Sequence, residues 1–232
     1  MKAFSQQLKW QFILLGKNNI ISISFGVTVI YGIILFLLRD IQVLDKVMVA
    51  LVLTDPSVIG YFFIALAIYT EMKHGILPAI FVSSLSLHQL LLSKTVALSI
   101  IGTVCALGLA ISVRGFDFDM LNFTIGVFGI CTLSTLLGLI MLTYSNEFLK
   151  FTMLSVPFFL VFMSVPMLIY LGVINIGFVK YLFPIQGSLD LIDHSISGTK
   201  ISFVYAYLSI LIFVPVFYAL AYRIFNRKVV HQ

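Results

Sequence analysis

Few residues in this 232-residue chain are equipped for chemistry, and their spacing argues against most of it. The histidines His74, His88, His194 and His231 are scattered, and nothing around them has metal-ligand spacing. No G-x-S-x-G turn presents a nucleophile, and no H-E-x-x-H marks a zinc peptidase. Gly16-Lys17-Asn18-Asn19 lacks the upstream glycine and the Ser/Thr with which a P-loop holds phosphate and magnesium. Cys105 and Cys131 each lie inside an apolar run and read as packing residues. The acids remain. Asp55-Pro56 reads as a helix start, with Asp as N-cap and Pro at the first helical position. Glu71 closes an apolar run and opens a short polar stretch with Lys73, His74 and Gly75, while Glu147 lies in another short connection. Only Asp55 and Glu71 approach the hydrocarbon, and both read as lying near span ends. Ion-coupled carriers keep a buried carboxylate deep in the bilayer, so this pattern speaks against an ion-coupled secondary carrier.

The elements that must hold these residues are membrane helices. The chain is 61% hydrophobic and 10% charged, with a mean hydropathy of +1.13. A soluble domain carries about 25% charge. Ten-residue segments of alternating polarity, the mark of a membrane β-barrel, are missing. The fold class expected is therefore an all-α integral membrane protein with six transmembrane helices in a single transmembrane domain over 1–232. The spans fall at about 20–38, a second ending at Glu71, 90–113, 121–144, 151–173 and 201–222, followed by a tail over 223–232. From Pro56 to Glu71 a helix rises only about 24 Å, so the second span is either short or begins before Asp55.

Residues 1–18 form an interfacial helix with Phe4, Leu8, Phe12 and Leu15 on one side, lysines opposite and Trp10 at headgroup level. Segment 71–89 is too polar to cross a bilayer yet keeps Ile76, Leu77, Ile80 and Phe81. It reads as a short helix with an apolar face, turned by Gly75 and re-capped by Ser83–Ser86. The segment 174–198, with Pro184, Gly187, Asp190 and Asp193, is apolar but broken, and reads as re-entrant or interfacial. With six spans, the side carrying both termini holds nine basic residues against five, and seven acids fall on the poorer side. The positive-inside rule then gives N-in, C-in orientation, with 71–89 cytoplasmic.

Several of these features coincide in one family. They are the basic amphipathic N-terminal helix, six spans, Glu71 followed four residues later by Gly75, and Leu90, Leu91 and Lys94 at the next helix start. Asp55-Pro56 with Gly60 and the broken segment Phe183–Leu191 complete the set. The chain resembles the ABC-2 type permeases, membrane subunits of type V-like ATP-binding-cassette exporters, and "FPIQGSLDLI" is similar to the small drug-export permeases of the fluoroquinolone-exporter type. Family members often have Pro before Leu-Ser in the coupling segment, where this chain has Ser84 and carries Pro78 earlier.

The resemblance implies a half-transporter of the bacterial cytoplasmic membrane. It has no cofactor and no enzymatic motif of its own, because ATP and magnesium bind a cytoplasmic ABC ATPase partner. A second permease copy or a paralogue completes the pore, the cargo is hydrophobic or amphiphilic (drug, lipid or peptide), and no nucleic acid is involved. Glu71, Lys73, Gly75, Ile76, Leu77, Ile80, Phe81, Lys94 and Glu147 would couple to the ATPase, with Glu71 bracing the segment against Lys73 or Lys94. Pro184, Gly187, Asp190 and Asp193 would form an outer gate. The alternatives left open are a non-catalytic membrane module, partner to an assembly or sensor protein, and an ion-coupled carrier.

Overall fold

The computed structural model describes residues 2–38, 44–76, 86–145 and 147–230. Every regular element among the described residues is helical, and six helices are long and apolar enough to cross a membrane. In chain order they are α1 (Lys2–Lys17), α2 (Ile20–Leu37), α3 (Leu44–Lys73), α4 (Leu87–Arg114), α5 (Met120–Leu142), α6 (Phe148–Tyr170), a 3-10 turn (Gly177–Leu182), α7 (Gln186–Ser197) and α8 (Phe203–Phe225). The last runs into a π turn, Asn226–Val230.

α3 and α5 form the centre of the bundle, and glycines let them meet backbone to backbone. A Cβ on Gly60 would lie 2.6 Å from the Cys131 carbonyl oxygen, and one on Gly138 would lie 2.5 Å from the Tyr61 carbonyl oxygen. Lipid offers no hydrophobic drive for helix association, so such close packing must supply it. α4 joins through Gly102, whose Cβ would meet Cys131 Sγ at 2.8 Å, and through a Ser99–Thr132 hydroxyl bond of 2.9 Å. α6 joins through the buried Tyr61, whose hydroxyl donates to the Ser155 carbonyl at 3.1 Å among the rings of Phe62, Phe151 and Phe159. α2, α6 and α8 are peripheral and leave broad apolar faces outward. Cys105 and Cys131 are both buried free thiols, as packing residues should be.

The second span is one continuous helix of 30 residues. Asp55 and Pro56 therefore do not start it. Asp55 stands about 16 Å along α3 from Leu44 at 1.5 Å per residue, well inside the apolar length, and the reading of Asp55 as an acid near a span end is corrected. In water, proline belongs in the first turn; here it lies inside the helix, where it removes the intrahelical donor to the Val52 carbonyl, and hydroxyls bond the carbonyls on either side of that one. The Ser57 hydroxyl bonds the Leu53 carbonyl at 2.7 Å and Thr54 bonds the carbonyls of Ala50 and Leu51 at 3.0 and 3.1 Å. The α3 start is instead fixed by an ion pair between Asp45 and Arg114 at the end of α4.

α7 is a 12-residue helix, about 18 Å long and too short to cross. Glycines seat it between α5 and α8. A Cβ on Gly126 would lie 2.9 Å from the Ser188 carbonyl oxygen, and one on Gly187 would lie 2.8 Å from that of Ala206. Gly198, in the left-handed region at φ 68°, ends it.

Candidate functional site: a buried ion pair joining three helices

The α3–α4 connection begins with a left-handed turn. Gly75 has φ +67°, a conformation that needs glycine, and nothing lies within 4 Å of where its Cβ would be. α4 then starts with Ser86 as N-cap, its hydroxyl accepting from the Gln89 amide at 3.3 Å. Leu77, Ile80 and Phe81 of the expected coupling helix lie outside the described residues, as do Ser83–Leu85.

Behind this connection Glu71, two residues short of the end of α3, meets Lys94, two turns into α4. They form an ion pair with both side chains buried, Glu71 at 3% and Lys94 at 2% exposure. A third helix completes the cluster: Lys94 Nζ also donates to Gln11 Oε1 of α1 at 3.1 Å. Of the two partners open to Glu71, the structure selects Lys94; Lys73 is exposed. Glu71 is no surface carboxylate. A buried charge pair is stable only when its remaining polar atoms are bonded, yet Glu71 Oε2, Gln11 Nε2 and Gln7 Nε2 are buried with no hydrogen-bond partner among the described residues. The cluster thus holds one unmet acceptor and two unmet donors.

Gln7 and Gln11 were not legible as site residues. The apolar side of α1 suggested Phe4, Leu8, Phe12 and Leu15 as the inward face. The most buried positions are instead Gln7, Gln11 and Leu15, with Trp10 and Ile13 exposed. The helix is rotated so that its two amides reach the ion pair. The signal was present as two glutamines spaced i, i+4 beside an apolar stripe.

Other contacts fasten the rest of this end of the bundle. The hydroxyl of Tyr69, two residues before Glu71, is bonded to Ser145 at its carbonyl (2.8 Å) and hydroxyl (2.7 Å), in the α5–α6 connection. His88, at the start of α4, stacks on Tyr222 of α8 at 3.8 Å and shares a 3.0 Å bond with Tyr218. Lys228 lies 3.4 Å over the Tyr144 ring. Glu147 caps α6 by position but makes no side-chain cap bond and is exposed, apart from the cluster.

At the opposite end, Asp193 accepts from the Tyr170 hydroxyl at 2.9 Å and from Thr199 at 2.7 Å, fastening the end of α6 to the C-terminal half of α7. Gln186 Nε2 donates to Asp190 at 2.7 Å. Burial pushes the Asp190 carboxyl above its ordinary value, partly opposed by that bond. Gly187 packs on α8, and Pro184 leads into α7 half-buried.

Among the described residues no three His, Cys, Asp or Glu side chains are grouped to hold a metal. An ion pair shared by three helices ties them together. Six helices long and apolar enough to span, a buried polar joint at one end and a seated half-length helix at the other define a multi-pass membrane protein. The chain belongs to the fluoroquinolones export permease protein family, whose sequence model matches residues 3–232. The resemblance drawn from Glu71, Gly75 and "FPIQGSLDLI" is to this family. Comparison with curated proteins gives no match.

Proposed function

We propose that the chain is the membrane-spanning subunit of an ATP-binding-cassette exporter, moving a hydrophobic or amphiphilic cargo outward with ATP hydrolysed by a separate subunit. The observation that carries this reading is the Glu71–Lys94–Gln11 cluster, which ties α1, α3 and α4 into one unit beside the α3–α4 connection. A soluble ATPase pressing on that connection moves three helices together. ATP and magnesium belong to the ATPase, and two permeases, identical or paired, frame the pathway. The nine-to-five split of basic residues supports a cytoplasmic location for this end, with both termini inside a bacterial cell membrane. The unmet acceptor and donors of the cluster support a second arrangement, reached by a small rotation of α1, in which they pair. At the other end, α7 with Pro184, Gly187, Asp190 and Asp193 acts as the outer gate, its clamp on Tyr170 and Thr199 closing the exit.

Purification of the tagged protein from its native host in mild detergent tests the reading. A stoichiometric soluble subunit with a Walker A motif is expected. Its absence from complexes that crosslinking shows to be intact overturns the proposal. One observation favours a second reading, an ion-coupled carrier: Asp55 is a buried acid within a span. That reading requires transport driven by an ion gradient without ATP and lost in Asp55→Asn.

A further inference from the structure

α6, at 23 residues, rises about 34 Å, enough to cross a hydrocarbon core of about 30 Å. The chain therefore leaves α6 at the membrane boundary. Gly172, at φ +76°, turns it there, the amides of Gly172 and Val173 donating to the carbonyls of Ile169 and Leu168 at 3.0 and 2.9 Å. The 3-10 turn Gly177–Leu182 follows, and none of its residues is buried. A second contact fixes its depth. The Tyr205 hydroxyl, in the first turn of α8, donates to the Tyr181 carbonyl at 3.1 Å, and the two rings meet edge to face at 4.7 Å. The turn thus follows the end of one span and is tied to the start of another. Phe178 is 90% exposed and Leu182 73%, with Val173 and Val179 exposed beside them. Between the turn and the end of α6 lies a cleft of about 450 Å³. Lys180, Asn175 and Tyr181 are its lining residues with side-chain donors, and among the described residues no acid lines it. Asn175 Oδ1 accepts from the Gly177 amide at 3.1 Å, which leaves the Asn175 amide nitrogen as a donor. Lys180 Nζ stands 4.9 Å from the Tyr181 ring centroid and belongs to neither ion pair found among the described residues.

We propose that this cleft holds the phosphate of an anionic phospholipid headgroup, with Phe178, Val179 and Leu182 set into the leaflet beside it. A positive charge with two further donors and no acid calls for an anion, and the depth of the cleft says which one. Aromatic and basic side chains at a span boundary sit at headgroup level, and an apolar rim this exposed is stable where hydrocarbon begins. A free anion makes no use of the rim. An apolar protein surface would bury Lys180 without a counter-charge. A lipid meets both halves of the surface at once. Three residues, Phe183–Ile185, join the turn to α7, so a lipid seated here also holds the lead into that helix.

The test needs a bilayer and no ATPase, so its outcome is independent of the export reading. The full chain carrying Trp10→Phe and Phe178→Trp has a single tryptophan, on the exposed rim. It is reconstituted in vesicles of equal parts phosphatidylcholine and phosphatidylglycerol, with brominated acyl chains on one lipid and then on the other. Quenching of the tryptophan reports which lipid lies beside the turn. Brominated lipid should quench it, and phosphatidylglycerol should be enriched there about fivefold, the preference that one lysine gives at an anionic surface. Lys180→Gln should abolish the enrichment and keep the quenching. An unquenched tryptophan, equal quenching by the two lipids, or enrichment that survives Lys180→Gln overturns the proposal. Enrichment erased by inorganic phosphate at constant ionic strength also overturns it, marking a site for a free anion. So does oxidation of Phe178→Cys to a disulfide-linked dimer in the vesicles, which marks a surface for a second copy; the native cysteines are buried and do not compete. Leu182→Trp gives a second reporter on the same rim should Phe178→Trp fail to fold.

Discussion

Lys94→Met is the most telling single perturbation of the joint. In the native chain Glu71 and Lys94 are 3% and 2% exposed, so neither charge reaches water when its partner is removed. The substitution leaves Glu71 with no bonded oxygen, since Oε2 already lacks a partner among the described residues, and it strands Gln11 Oε1 as well. Breaking a buried pair costs about 3–5 kcal/mol, and the orphaned amide oxygen adds about 1 kcal/mol. The double variant Glu71→Leu/Lys94→Met removes both charges and keeps the volume, so its stability should fall within about 2 kcal/mol of native. Reversible unfolding in mixed micelles, run as a double-mutant cycle, reads both numbers. A loss under about 1 kcal/mol in Lys94→Met, or strict additivity in the cycle, would refute the buried pair. The same double variant then separates fastening from transmission: in the proposed exporter it should be stable, hydrolyse ATP with its partner and export poorly. Normal export would reduce the pair to a structural clasp.

Three further outcomes follow from local geometry. Gly138→Val should destabilise by about 1–3 kcal/mol because its side chain enters the Tyr61 backbone, whereas Gly26→Ala, with nothing within 4 Å, should be nearly neutral in the same unfolding assay. Gly75→Val places a β-branched residue at φ +67° and costs about 1–2 kcal/mol locally; in the assembled exporter, ATPase activity should persist while transport falls, and unchanged coupling would remove Gly75 from the lever. Asp119 caps α5, with bonds to the side chain of Asn122 at 2.5 Å and to the amides of Asn122 and Leu121. The Asn122 side-chain bond and the amides hold its carboxyl below the ordinary 3.8. That contribution is whole above the ordinary value and is lost as pH falls through the lowered folded one. Asp119→Ala should cost about 1 kcal/mol at neutral pH, and Asp119→Asn should keep the cap and abolish this part of the acid dependence, read by unfolding across an acid pH series.

The spans were legible because apolar runs of about 20 residues have few other solutions. Their ends agreed to within about three residues wherever polar or capping residues mark them. Asp55-Pro56 misled because its N-terminal signature in water is strong, whereas a membrane helix packed among its neighbours tolerates a proline within it. That error also placed a mid-span acid at a span end, and its correction weakens the case against an ion-coupled carrier. Glu71 was legible as an acid with Lys73 or Lys94 as its partner, since all three sit at span edges, and the structure pairs it with Lys94. Their burial was not, because it depends on α1 turning Gln7 and Gln11 inward, a choice that hydrophobic periodicity alone ranks below the Phe4–Leu15 stripe. α7 was legible as a broken segment, but its seat depends on Gly126 and Gly129 of α5 meeting Ser188 and on Gly187 meeting Ala206 and Ser209 of α8.

The polarity of the joint itself carries an argument. Apolar residues of the same volume would hold α1 against α3 and α4 at least as firmly as an ion pair with three unmet polar atoms. The sequence instead places an acid, a base and two amides there, and frees the neighbouring backbone at Gly75. An apolar contact slides with little preference for one register over its neighbours. A charged contact has discrete partners, so a rotation of α1 exchanges one set of bonds for another and leaves few positions between. A subunit that must be pushed by a separate motor needs that property more than it needs the last increment of stability. On this argument Gln7→Leu, which removes an unmet donor and leaves the Lys94–Gln11 bond in place, should raise the unfolding free energy while lowering ATP-driven export, and a variant that gains stability and keeps full export would refute it.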